Sequence, residues 1–270
     1  MQHALLAIDL GNTTCHMAWV QKRAAEWSVE TLLRTPRAEG TIQALRGWLA
    51  SNPVESGTRA AVASVAHPAE TDAVVALLNE TCGQALCVEP PAGLVLRLED
   101  ASGVGCDRLY AARAALELTG QSTVVVDAGT ALTVDVVRAL GGSDDASPCG
   151  EFLGGAIAPG PRLLAQALAQ EAARLPRVEA RPGVVALGRD TQCALQAGVA
   201  VGFEGAALRL IERVSVEAGL PSPALVLTGG AAHFLSEVLG REAQGALHED
   251  PDLVVRGLAL SAWEHLGRQP

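Results

Sequence analysis

The sequence predicts an α/β protein built twice, with a cleft between its halves. Three observations carry this reading. Short apolar runs of strand type alternate with segments of helical periodicity along the whole chain. Asp9-Leu10-Gly11 near the start returns as Asp127-Ala128-Gly129 near the middle, each after an apolar strand. The chain has 270 residues, 49% apolar and 19% charged, which is enough for two domains with their own cores.

Residues 4–8 form an apolar run that ends in Asp9-Leu10-Gly11-Asn12-Thr13, and residues 15–20 suit a returning strand. Residues 41–50 carry Ile42, Leu45, Trp48 and Leu49 at helical spacing. Residues 59–66 read as a buried strand. Residues 69–82 read as a helix with Val74, Val75, Leu77 and Leu78 on its apolar face. Another helix spans 107–118, entered from Gly103-Val104-Gly105.

The opening pattern then repeats. Residues 123–126 are a β-branched run, followed by Asp127-Ala128-Gly129-Thr130 and a second strand through Thr133-Val134-Asp135. A single D-x-G is an ordinary turn; two copies in the same strand context indicate an internal duplication. The boundary falls near residues 119–122, giving a first domain at 1–120 and a second at 121–270. Residues 140–148 read as a surface loop, and 154–160 as a Gly-rich turn. A helix follows at 161–174, with Pro161 where its missing N–H costs nothing. Residues 191–214 form a long helix behind Asp190 as N-cap. Residues 224–227 are a strand ending in Thr228-Gly229-Gly230, and 253–266 a closing helix.

Composition narrows the function. A net charge of −10 argues against a nucleic-acid surface and repels anionic substrates at long range. A phosphate site must therefore be built locally, from backbone N–H groups, a metal or a placed Arg. No uninterrupted apolar run reaches the roughly 18 residues of a membrane span. The N-terminus has no basic region before its short apolar stretch, so no signal peptide is expected. The expectation is a soluble cytoplasmic protein. Cys15, Cys82, Cys87, Cys106, Cys149 and Cys193 form no C-x-x-C pair, and reduced, mostly buried thiols are expected, with Cys82 and Cys87 as an alternative metal or disulfide pair. His3, His16, His67, His233, His248 and His265 form no motif and read as structural or surface residues.

Two D-x-G turns facing each other suit phosphate binding. Gly removes the Cβ that blocks close approach, free N–H groups point at oxygens, and each Asp offers a carboxylate to a cation. Thr228-Gly229-Gly230 adds a third close-approach surface, suited to a nucleoside. This layout resembles the actin-like, sugar-kinase-like ATPase (ASKHA) superfamily, whose two domains are ribonuclease-H-like.

Within it, the chain resembles the type III pantothenate kinases over essentially its whole length. Asp9-Leu10-Gly11-Asn12-Thr13 resembles their first phosphate motif, and Asp127-Ala128-Gly129-Thr130-Ala131-Leu132-Thr133 their second. Ser64-Val65-Ala66-His67-Pro68, the substrate motif Gly105-Cys106-Asp107-Arg108, and Gly154-Gly155-Ala156-Ile157-Ala158-Pro159-Gly160 also match. So do Leu187-Gly188-Arg189-Asp190-Thr191 and the nucleoside-side Leu227-Thr228-Gly229-Gly230. Order and spacing together make the likeness specific.

The resemblance implies ATP-dependent phosphorylation of pantothenate to 4′-phosphopantothenate, the first step of coenzyme A synthesis. It implies a homodimer with substrate sites at the interface, a divalent ion such as Mg²⁺, and potassium or ammonium. It makes Asp107 the general base, with Gly105, Arg108 and the partner's Thr191 at the substrate; the Arg108 fork suits the pantothenate carboxylate. Asp107 stands at a helix start, where the dipole favours a carboxylate; a plain capping role is the alternative. Asp9 would hold Mg²⁺ through water, and Asp127 the monovalent cation. Gly11, Asn12, Thr13, Gly129 and Thr130 would meet the ATP phosphates, and Gly229 and Gly230 the nucleoside side.

Two positions depart from the family pattern. Ala18 stands where a Gly is usual, and residues 98–101, Leu-Glu-Asp-Ala, replace a stretch that commonly carries a Tyr and an Asn-Pro. That change removes a large, polar-tipped pocket wall. It keeps open a kinase for another small hydroxy acid, beside a non-catalytic accessory relative. Retention of Asp9, Asp107, Arg108 and Asp127 together favours the enzyme.

Overall fold

A computed structural model describes residues 2–23, 26–37, 40–55, 57–87, 93–141, 149–242 and 247–267. The side chain of His3 and most of the loop expected at 140–148 lie outside the described residues. The first sheet contains β1 (Gln2–Leu10), β2 (Thr14–Arg23), β3 (Glu26–Pro36), β4 (Arg59–Ser64) and β5 (Gln84–Cys87) in the order β3-β2-β1-β4-β5. The first three strands are antiparallel neighbours, and β4 and β5 join in parallel.

The second sheet repeats this plan with β7 (Thr123–Ala128), β8 (Ala131–Ala139), β9 (Gly150–Pro159), β10 (Ala224–Thr228) and β11 (Leu247–Glu249). The antiparallel and parallel relations are the same. Two sheets with one strand order establish the duplicated ribonuclease-H-like fold. Each half has its own apolar core, Leu6, Ile8 and Met17 in the first, Val124, Val134 and Leu227 in the second.

Two elements cross between the halves. β6 (Leu94–Leu96) pairs in parallel with β9 and extends the second sheet. α7 (Leu253–Gly267) returns to pack on β1, β2 and β4 of the first sheet. It crosses α3 (Cys106–Thr119) closely: a Cβ on Gly257 would collide with the backbone of Tyr110. α3 is buried continuously from Leu109 to Leu116 because it also touches β7, β8 and β9. Arg113, the one charged residue in that buried stretch, pairs with Glu264 and Glu117.

The remaining helices cover the outer faces. α1 (Thr41–Ser51) and α2 (Pro68–Cys82) pack on the first sheet's side, α4 (Pro161–Glu171) and α5 (Thr191–Glu217) on the second's. The expected Gly-rich turn at 154–160 is instead most of strand β9. Gly154 takes φ 96° beside a register shift at Val136/Val137, and Gly155 lies against the β8 backbone, where a Cβ would clash. The glycines thus fit a bulged strand between close neighbours rather than a turn. α5 reaches mean hydropathy 1.3 over an 18-residue window, but Leu195, Val199, Phe203 and Ala207 bury one face of it inside the fold. All six cysteines are free; Cys15 and Cys82 are buried, while Cys87 and Cys193 are exposed, so fewer thiols are buried than expected.

Candidate active site

Both D-x-G segments sit in tight β-hairpin turns, the first one residue longer than the second, each closed by a hydrogen bond from its glycine. Gly11 N–H donates to the Thr14 carbonyl at 3.0 Å, and Gly129 N–H to the Ala131 carbonyl at 2.9 Å. The two turns meet: Thr13 Oγ1 and Thr130 Oγ1 are hydrogen-bonded at 2.7 Å, 117 positions apart in sequence. Arg37 supports the first turn. Its guanidinium donates to the Gly11 carbonyl at 2.5 Å and pairs with Glu70. Gly160 supports the second, its N–H donating to the Thr130 carbonyl at 3.0 Å; a Cβ there would strike the backbone of Gly129 and Thr130.

The third turn closes on the second. Ala231 N–H donates to the Ala128 carbonyl at 2.7 Å, and Gly229 takes φ 94°. A Cβ at Gly229 would collide with the Asp127 carboxylate, so glycine is required there on two counts. The substrate motif enters from the first half. The Cys106 thiol donates to the Ser64 carbonyl at 3.4 Å, tying the start of α3 to the end of β4. Gly105 is the N-cap position, and Asp107 lies inside the first turn of α3. The Arg108 N–H donates to Asp107 Oδ1 at 2.9 Å.

Asp9, Gly11, Asn12, Thr13, Gly105, Asp107, Arg108, Asp127, Gly129, Thr130, Gly229 and Gly230 all line one cavity of about 500 Å³. Thr191 does not line it. It is exposed at the start of α5, where Asp190 is the expected N-cap, accepting from Cys193 N–H at 2.7 Å.

The cleft is electrostatically loaded. Burial pushes the Asp9 carboxyl up to about 7, and the charges of Asp107 and Asp127 add to this, while Arg34 opposes it. Burial also lifts Asp127 to about 7, followed by Asp107 and Asp135, and no described basic side chain offsets it. Near pH 7 such carboxyls are only partly ionised, and a cation beside them would favour the charged form. Among the described residues no three His, Cys, Asp or Glu side chains stand close enough to hold a metal directly. Asp9 and Asp127 are the carboxyls of this cavity that a cation could join, with water completing its shell.

Sequence reasoning missed several residues of this cavity. His16, read as structural, lies on the wall, with Arg34 Nη2 3.2 Å from its Nδ1. Burial and the neighbouring Arg34 push its pKa down to about 4, so it is neutral near pH 7. Asp252, at the entry to α7, sits 3.5 Å from Arg34. Asp9, His16 and Arg34 are cross-strand partners in one row of the first sheet. Strand register is the only signal linking them, and β3 was not foreseen as a strand. Arg108, expected to meet substrate, is also held from behind by Asp135.

Two like halves, a glycine turn from each lining one cavity, and two buried carboxyls within it fit a two-domain phosphotransferase of the actin-like class. Residues 5–213 match the family model for type III pantothenate kinase. A protein of that name from Rhodospirillum centenum is 34% identical over 266 residues, covering 95% of this chain and 97% of the relative. One from Salinispora arenicola is 34% identical over 263 residues, with 95% and 97% covered. The chain belongs to the type III pantothenate kinase family, and it is a kinase. Among solved structures, the activator of 2-hydroxyisocaproyl-CoA dehydratase from Clostridium difficile aligns with TM-score 0.48 and 9% identity, over 98% of this chain and 96% of that one.

Proposed function

We propose that the chain transfers the γ-phosphoryl group of ATP to the primary hydroxyl of pantothenate, giving 4′-phosphopantothenate. The observation that supports this most is the Thr13–Thr130 bond, which brings both phosphate turns to one cavity beside Asp107. Phosphoryl transfer demands positioning and charge neutralisation more than covalent chemistry. In this reading residues 1–120 bring the first phosphate turn and the substrate motif. Residues 121–270 bring the second turn and the nucleoside-side glycines. Gly11, Asn12, Thr13, Gly129 and Thr130 hold the phosphates, Gly229 and Gly230 border the nucleoside, and Gly105 lets the substrate approach.

Asp107 takes the hydroxyl proton. Its Oδ1 accepts from Arg108 N–H, which orients the carboxylate. Asp9 would hold Mg²⁺ through water and Asp127 a potassium or ammonium ion. When bound, these ions neutralise phosphate charge in a cleft that is otherwise acidic. Thr191 would reach the substrate of a partner subunit. Among the exposed positions of α5, Thr191, Ala194, Gly198, Val201, Gly202 and Gly205 follow one helical stripe that a second copy would cover. Sedimentation at micromolar concentration tests this: an active monomer would remove the dimer and the role of Thr191.

The deciding experiment is Asp107→Asn. A lost general base lowers turnover by about 10²–10⁴-fold, while ATP affinity stays near normal because the turns hold the phosphates. Retention of more than about a tenth of turnover would reject the assignment. One observation favours a second reading, a kinase for another small hydroxy acid. Leu98 packs into the core beside α3, and no residue of 98–101 lines the cavity, so nothing there replaces the polar wall. Turnover with pantothenate against a panel of small hydroxy acids separates the two, and absence of turnover with all of them would point to the accessory relative.

A further inference from the structure

We propose that Asp135 is the positioning residue that makes this site select a carboxylate: it holds Arg108 side-on and presents the other end of the guanidinium to the substrate. The proposal rests on the reading of Arg108 as the partner of the pantothenate carboxylate. Asp135 lies on β8 and is 1% exposed. Arg108 Nε is 3.1 Å from Asp135 Oδ1 and 3.0 Å from Oδ2, and Arg108 Nη2 donates to Oδ1. This side-on grip uses the Nε/Nη2 edge. The end formed by Nη1 and the outer N–H of Nη2 is the part that Asp135 leaves unengaged.

Three further contacts fix the grip. The ring of Phe152 lies under the guanidinium, 5.6 Å from Cζ. The Thr133 hydroxyl hydrogen-bonds the Asp135 carboxylate from within the same strand. Gly155, the cross-strand partner of Asp135, supplies the room: a Cβ there would collide with Asp135 Oδ1 and the Val134 carbonyl. Arg108 lines the cavity and Asp135 does not, so Asp135 reaches substrate only through the guanidinium.

The physical consequence is selection by shape. A carboxylate behind the guanidinium cancels most of its net charge toward the cleft. What remains is a fixed fork of N–H donors, which suits a planar, two-oxygen acceptor better than a hydroxyl or an amide. The fork is already ordered, so little side-chain entropy is lost when the acceptor arrives. Without Asp135 the arginine keeps its charge but loses its direction.

The test compares pantothenate with its alcohol analogue, in which a hydroxymethyl group replaces the carboxylate. For each compound KM is measured, or the inhibition constant where turnover is too low. In Asp135→Asn the preference for pantothenate over the alcohol falls by roughly tenfold or more, the scale of a lost charge-assisted bond. The change lies in KM for pantothenate, while KM for ATP and the constants for the alcohol hold within about twofold. Arg108→Gln loses the same preference, and the double variant loses no more than Arg108→Gln alone. A preference kept in Asp135→Asn but lost in Arg108→Gln overturns the role of Asp135. A preference kept in both, or absent from the unmodified protein, overturns the reading of Arg108 itself. Should Asp135→Asn not fold, Asp135→Glu takes its place: it retains the charge but moves it by one methylene, and an unchanged preference there also overturns the proposal.

Discussion

In the first sheet, the row that carries Asp9 reads Arg34, His16, Asp9 and Ala63 across four strands. In the second, the corresponding row reads Ile157, Thr133, Asp127 and Thr228. The carboxylate and its strand-end position before a glycine turn are the same, yet the neighbours differ. Asp9 has an arginine two strands away that pulls its pKa down and favours the carboxylate; Asp127 has a hydroxyl-bearing residue on each side and an isoleucine beyond. Duplication preserved the backbone device and left the charge environment free to diverge. In the proposed reading, the two carboxyls would meet different cations because their neighbours differ.

That contrast is open to measurement. The largest effect belongs to Asp9→Asn: turnover falls about 10³-fold, the scale of the several kcal/mol a divalent ion contributes to phosphoryl transfer. A loss under about tenfold would mean that Asp9 is not the divalent-ion partner. Asp127→Asn sharpens the comparison from the other side. Its rate becomes equal in potassium and sodium buffers and matches the unmodified enzyme without potassium. Potassium stimulation that survives this change would place the monovalent ion elsewhere.

Arg34→Met has a smaller effect, confined to the first row. Without the arginine, the acid limb of the rate profile moves to higher pH, since the Arg34 charge favours the Asp9 carboxylate. A limb that does not move would show that Arg34 has no electrostatic hold on the reaction.

Stability gives the smallest signal. Burial pushes the Asp9 and Asp127 carboxyls up to about 7 in the folded chain, whereas the unfolded chain leaves them in the ordinary carboxylate range of about 3.8. Between these values the folded chain holds more protons, so the contribution of these two groups is present at low pH and lost as pH rises through 7. The melting temperature of the cation-free protein is accordingly lower at pH 8 than at pH 5, and Mg-nucleotide with potassium narrows the gap. In the double Asp9→Asn, Asp127→Asn variant most of the gap disappears. A gap that persists unchanged would assign it to other groups.

The parts of this site that were legible in the sequence are those made by local chemistry. A D-x-G turn needs only its own residues, so Asp9 and Asp127 could be placed before any fold was known, and so could the helix start at Gly105–Arg108. What escaped depends on partners distant in sequence. Arg34 becomes part of the cleft only through the register of β3 on β2. Asp135 was visible as a strand residue, but its hold on Arg108 requires α3 to lie across β8. The misread glycines at 154–160 show the same limit from the backbone side. Gly clusters signal a close approach, and whether the neighbour is a turn or another strand is decided by tertiary packing.

The exchange of elements between the halves has a consequence for the history of the chain. α7 comes from the end of the sequence yet seals the first sheet, while β6 comes from before residue 120 and edges the second. Cutting the polypeptide at the centre of the repeat would strip each half of a piece it needs. The tight seat of Gly257 against Tyr110 makes this loss specific, because no ordinary side chain fits that crossing. The ancestral copy cannot be recovered as a fragment: two genes encoding 1–120 and 121–270 should yield a working protein only when coexpressed, each product serving as the other's scaffold.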